Sequence, residues 1–246
     1  MIDKLPNRFL ISGQYLKNME LSNVREIGND VLYANTDLEY FNLSKAEVIG
    51  SYFLANNIKL TSIDLNKTIM IGDDFLKKNI IVESINFDSL QRVGNNFMFS
   101  NKGLSSIVIS NLSYTGKCFF KLNDKVLFAS FPSLQETGDF FMNDAKNLRM
   151  FEADNLRVTG DMFLMANKEL DYISLPNLIK TGKLFLAANQ IIMSVNLPNL
   201  SYLPKYFLRN AGGLESIILA DDCTWDAIYN KKLLELMHEK KGKTLW

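Results

Sequence analysis

Apolar residues recur along this chain on a fixed interval of 22 residues. With Gly160 as position 0, they stand at positions 3, 4, 10, 13, 15 and 18, as Phe163, Leu164, Leu170, Ile173, Leu175 and Leu178. The next unit, from Gly182, repeats them as Phe185, Leu186, Ile192, Val195, Leu197 and Leu200. Within each unit, positions 11 to 16 alternate, as in Asp171-Tyr172-Ile173-Ser174-Leu175-Pro176. Ile173 and Leu175 face one way, Tyr172 and Ser174 the other, a period of two that predicts a half-buried strand.

Glycine marks the period. Gly28, Gly50, Gly72, Gly94, Gly116, Gly138, Gly160 and Gly182 keep it without a slip, and Pro6 and Pro204 extend the phase at either end. Position 3 is aromatic almost throughout, from Phe53 to Phe207, and position 7 carries Asn35, Asn57, Asn79, Asn101, Asn123, Asn167 and Asn189. One such unit cannot close a core alone, whereas stacked units bury their apolar positions against each other. The pattern therefore predicts a β-rich solenoid of about ten coils. Equivalent strands pair in parallel, and at about 4.8 Å per coil the stack is roughly 45–50 Å long. The phenylalanines form a continuous column. The asparagines bond neighbouring backbone and one another in a ladder, since a buried amide without partners costs a few kcal/mol. The glycine phase needs a positive φ or a close coil-to-coil approach. The segment after it reads as a second short strand or a 3₁₀ turn.

The phrase LxxIxLPxLxxTGxxFLxxN, which covers the chain from about Leu5 to Ala220, resembles the leucine-rich repeat of the BspA-like class. It departs in two details. The aromatic stands three places after the glycine, and the period is 22 where one residue more is common. The resemblance implies a bacterial or protist interaction protein, secreted or at a surface, with host-directed effectors among such proteins. It does not imply catalysis.

The lattice fails after Ala220, which divides the chain into a solenoid, 1–220, and a C-terminal cap with its tail, 221–246. Asp221-Asp222 suits a helix start, and Trp225, Tyr229, Leu233, Leu236 and Met237 fall at helical spacing over the last coil. The tail Glu239–Lys243 is charged and expected to fray. No comparable cap is visible at the first coil, unless Met1 to Pro6 cover it.

Charge removes some function classes. Lys plus Arg equals Asp plus Glu at 27 each, so no basic field draws nucleic acid. Near-neutrality permits self-association. Two cysteines make no disulfide framework, and no apolar run approaches the roughly 20 residues of a membrane span. A cytoplasmic protein, or one exported without a cleaved leader, is the expectation.

Catalytic constellations are missing. His238 is the single histidine and lies in the expected cap helix. Two cysteines and one histidine give no zinc spacing, and glycines 22 apart cradle no phosphate. Cys118 occupies a packing phase, whereas Cys223 beside Trp225 reads as an exposed thiol. No cofactor or metal is expected.

The exposed strand positions carry the individuality. Position 12 reads Tyr40, Ser62, Ser84, Ser106, Phe128, Met150, Tyr172, Ser194, Ser216. It is small for three coils, then large for three. Phe128, Met150 and Tyr172, flanked by Arg149, Glu152 and Asp171, form the candidate partner-binding patch. The expected function is non-catalytic recognition of a protein partner, as an adaptor or effector. The alternative is a structural, self-assembling protein, for instance a homodimer.

Overall fold

The computed structural model describes residues 3–13, 15–79 and 81–243. They form the expected parallel solenoid of ten coils, closed by one C-terminal helix. Coil 1 starts at Pro6, coil 2 at Gly28, and coil 10 at Pro204.

Each coil contributes the predicted strand at positions 12 to 14, from Asn18–Glu20 to Ser216–Leu219. Pairing is parallel and in lattice register, as in Phe128↔Met150 and Ala129↔Phe151. Position 13 points inward. The position-3 phenylalanines stack, with Phe97–Phe119 and Phe119–Phe141 centroids 5.3 and 4.9 Å apart. Phe131 meets Phe119 edge-on at 5.5 Å, so strand and column share one core.

A second parallel sheet runs along the opposite side. Its strands are dipeptides at positions 20 and 21, immediately before each glycine, from Lys4–Leu5 to Glu136–Thr137. The ladder goes on as single bridges at Val158 and Lys180. The second strand thus precedes the glycine instead of following it. Lys4–Leu5 pairs with Glu26–Ile27 as the edge strand of this sheet, next to coil 1; Met1 and Ile2 lie outside the described residues.

The segment after the glycine is neither strand nor 3₁₀ turn. In coil after coil, positions 2, 4 and 6 take positive φ, for example Asp30, Leu32 and Ala34 at 57°, 54° and 56°. Left-handed geometry costs a non-glycine residue roughly 1–2 kcal/mol. Inter-coil hydrogen bonds offset it. Asp30 N–H donates to Ser51 O, Leu32 N–H to Phe9 O and Ala34 N–H to Ala55 O, all at 2.8–2.9 Å.

None of the glycines has positive φ. The lattice glycines are there for close approach: a Cβ on Gly138 would lie 2.6 Å from Gly116 C and 2.7 Å from Gly116 O.

The asparagine column is structural, mainly through backbone. Asn57, Asn79, Asn123 and Asn189 donate to the position-4 carbonyl of the preceding coil at 2.8–2.9 Å. Direct links along the column occur twice, where Asn101 N–H donates to Asn123 Oδ1 and Asn167 N–H to Asn189 Oδ1.

The cap differs from expectation at its start. The lattice continues past Ala220, because Thr224–Trp225 pairs with Tyr202–Leu203 as a separate two-stranded sheet at the phase of the second sheet. Trp225 is therefore a strand residue, and Tyr229 packs against Tyr206 ahead of the helix, with ring centroids 4.7 Å apart and the planes tilted by 39°. The helix is Lys231–Lys243, so it extends through the tail expected to fray. Asn230 fixes its position, not Asp221-Asp222. Its Oδ1 caps Leu233 N–H at 3.1 Å, while its Nδ2 donates to Leu208 O and Ala211 O of the last coil. Leu233 and Met237 are buried beneath it.

Candidate functional site: the strand face

Alternation on the position 12–14 strands sends one set of side chains inward and leaves the other as columns on a single face. That face has two halves. Over coils 3 to 5 it is hollow, because position 12 carries serine. One cavity of about 310 Å³ lies over Ser62 and Ser84. A second, about 290 Å³, lies between the strands Ser84–Asn86 and Ser106–Val108. Over coils 6 to 8 the face rises into an apolar ridge. Met150 and Tyr172 are 55% and 52% exposed, with Leu127 and Met193 exposed beside them.

The expected patch is largely assembled. Phe128 and Met150 sit directly opposite each other across one strand pair. Phe128, however, is half-buried, so it forms the flank of the ridge and not its crest. Tyr172 stands on the neighbouring strand Tyr172–Ser174, which is not hydrogen-bonded to Met150–Glu152. Arg149 anchors its strand through N–H to Leu127 O at 2.9 Å, and its guanidinium reaches Glu169 at 3.9 Å. Glu152 is exposed, with its carbonyl accepting Phe131 N–H at 2.8 Å. Asp171 is exposed and its carbonyl accepts Met193 N–H at 2.7 Å. The helix packs on the last coil's strand, away from this ridge.

Other faces are less suited. Val48 and Met70 are exposed on the second sheet but stand among charged ladders such as Arg25–Glu47 at 3.1 Å. A shallow cavity of about 570 Å³ there is lined by Arg25, Lys45, Glu47 and Lys67, with Arg25 neutralised by that pair.

No reactive group emerges from the geometry of the described residues. Cys118 sits at a left-handed position 2, and burial pushes its thiol pKa up, away from the thiolate. Cys223, expected as an exposed thiol, is 7% exposed, with Sγ 3.7 Å from Thr224 O. His238 is on an exposed stretch of the helix. Among the described residues no group of three or more His, Cys, Asp or Glu could hold a metal ion, and no helix is long and apolar enough to cross a membrane.

One scaffold feature escaped the sequence reading. At position 1, Asn29, Asp73, Asn95 and Asp161 each accept the backbone N–H of position 1 in the next coil, at 2.6–2.8 Å. The signal was available as a run of Asn, Ser and Asp next to the glycine phase.

The model of the BspA type leucine-rich repeat region matches residues 7–98 and 92–215, with six copies. The chain belongs to this family. Leucine-rich repeats of this type are commonly used for protein–protein interaction and are generally non-catalytic. Among solved structures, the BspA-type chain is similar to a leucine-rich repeat protein from Bacteroides ovatus. The identity is 18% and the TM-score 0.55, over 85% of this chain and 62% of that one. That likeness concerns the fold, and the chain spans under two thirds of the other's length. A leucine rich cell surface protein from Faecalibacterium prausnitzii aligns at 12% identity and TM-score 0.38, over 88% and 83% of the two chains. No curated protein sequence matches this one.

Proposed function

We propose that this leucine-rich repeat protein is a non-catalytic recognition module whose strand face, centred on the ridge of Phe128, Met150 and Tyr172, binds a protein partner. The observation that carries the reading is the exposure of Met150 and Tyr172 by more than half, with Arg149, Glu152 and Asp171 as a polar rim. Apolar side chains of this size on a rigid sheet gain by excluding water against a partner, at about 25 cal/mol per Å² of apolar surface covered. The scaffold already fixes their backbone, so only side-chain ordering, at about 0.5–1.5 kcal/mol each, opposes that gain. The repeat family's common use in protein interaction supports the reading.

The test replaces Phe128, Met150 and Tyr172 together by serine. These positions lie on the outward side of the strands, so the variant keeps its circular-dichroism spectrum and loses partner capture. Unchanged capture by a folded variant would sink the proposal. Light scattering of the purified chain decides whether the partner is a second copy. A concentration-dependent dimer that the same variant abolishes would assign the ridge to self-assembly, and a monomer assigns it to a foreign protein.

A further inference from the structure

The sheet of strand-face β-strands is not continuous. It is hydrogen-bonded within coils 1 to 4, within coils 5 to 7 and within coils 8 to 10. The second break is narrow. At the first, between Ser84–Asn86 and Ser106–Val108, no Cα of one strand comes within 8 Å of the other. Paired strands lie about 4.8 Å apart.

Several independent signs mark this split. Within each hydrogen-bonded set of strands position 11 donates to its counterpart in the preceding coil, as Leu127 N–H does to Ser105 O at 2.8 Å, and the bond is also missing at the second break, at Asp171. In most paired coils position 15 donates to position 14 of the next coil, as Leu65 N–H does to Asn86 O at 3.2 Å, Leu43 being an exception. At the split, Ser105 N–H and Phe87 N–H make neither bond. Ile85 is half-buried, whereas the equivalent Ile63, Ile107 and Ala129 are buried. The side-chain amide of Asn101 does not reach the carbonyl that its ladder phase demands, and its Nδ2 donates only to Phe99 O, at 3.5 Å. Behind the split the coils stay closed, with Phe75 and Phe97 stacked at 5.2 Å and Arg92–Val93 still paired to Tyr114–Thr115. On the adjoining turn they are pressed together, since a Cβ on Gly103 would fall 2.0 Å from Val82 O. The opening is thus a wedge confined to the strand face.

We infer that the split accepts an extended peptide segment of a protein partner as an added strand between coils 4 and 5. Both walls offer unpaired main-chain groups, which an extended backbone satisfies and a globular surface does not. One inserted strand needs about 9.6 Å between its neighbours, twice the paired spacing. The floor of Ile85, Phe87, Leu104 and Ile107 takes an apolar side chain. Glu83 is the charged residue lining the cavity, which favours a cationic neighbour in the peptide. The segment recognised therefore alternates apolar and basic residues. The inference rests on the strand face being the recognition surface and adds what it recognises.

The experiment is hydrogen exchange by NMR on the full chain, with an end-blocked heptapeptide alternating lysine and valine. In the free protein, the Phe87 and Ser105 amides exchange much faster than the bonded amides of Leu65 and Leu127. The peptide slows both by about tenfold or more, and the same peptide N-methylated at alternate residues does not. Ser84→Trp, which fills the cavity from an exposed position, removes the protection while the circular-dichroism spectrum is retained. Equal protection of Phe87 and Leu65 in the free protein would show the sheet closed and overturn the inference. So would a failure of the peptide to protect either amide, or indifference to N-methylation. The ridge variant, with serine at 128, 150 and 172, keeps peptide protection. Failure of the split and failure of the ridge are therefore read separately.

Discussion

Replacing Gly138 by alanine separates two explanations of the glycine lattice by the sign of the effect. Gly138 has no positive φ, so its backbone suits alanine. Unfolded-chain entropy alone would then make the change stabilising, by about 0.4–1 kcal/mol. Packing says otherwise. The added Cβ would lie 2.6 and 2.7 Å from Gly116 C and O, where ordinary contact begins at 3.4 Å. The obstruction is backbone held on both sides, because Gly138 N–H donates to Thr115 O at 2.9 Å and Gly116 N–H to Val93 O at 3.0 Å. No rotamer change relieves it. Overpacking of this kind costs about 1–3 kcal/mol, and stretching one inter-coil hydrogen bond adds about 1 kcal/mol. The expected net effect, after the entropic gain is subtracted, is destabilisation of about 1–3.5 kcal/mol. Urea unfolding at neutral pH, followed by circular dichroism, measures it. Gly212 is the internal control, since its Cβ would meet nothing nearer than Gln190 O at 3.8 Å. Gly212→Ala is neutral or slightly stabilising. A Gly138→Ala protein as stable as the parent would refute the close-approach account.

Three further outcomes follow from the same scaffold. Phe119→Ala empties a fully buried site between two stacked rings and lowers stability by about 3–5 kcal/mol in the same assay. Asn123→Leu leaves Met98 O and Asn101 N–H buried without partners, which costs about 2–4 kcal/mol; Asn101→Leu, at the off-ladder position, costs less than half as much. Asp139 is held below the usual carboxylate pKa, first by the hydrogen bond from Lys117 Nζ and then by Asp161 N–H. A depressed folded pKa gives stability that is present above the unfolded value of about 3.9 and lost as pH falls through the folded one. Asp139→Asn therefore lowers the melting temperature at pH 7, and the difference from the parent shrinks as the pH drops below about 4; a pH-independent difference would contradict the assignment.

The parts of this molecule that were legible in the sequence are those with long periodic signals. Phe53 to Phe207, the position-13 and position-15 residues and the strand-face columns repeat often enough to announce the coil, the core and the exposed face. The second sheet was not legible, because Glu26–Ile27 and its equivalents are two residues long and show no alternation. The left-handed turns were hidden because Asp30, Leu32 and Ala34 have no glycine-like signature; inter-coil hydrogen bonds impose their conformation. Trp225 and Tyr229 fell at helical spacing by coincidence, while the actual helix start is set by Asn230, whose side chain is tied to coil 10. At the site, Met150 and Tyr172 are where the columns put them. Phe128 sinks between its neighbours, a matter of packing that no column shows. The split beside Ile85 is a failure of two coils to pair, and the residues at its walls differ little from those of coils that do pair.

The most direct test of the recognition surface places a photoreactive residue at position 150 on the ridge and, in a separate protein, at position 48 on the second sheet. Both sites are exposed, at 55% and 44%. Irradiation with the captured partner should give a covalent adduct from position 150 and none from position 48. An adduct formed from position 48 alone would contradict the strand-face account.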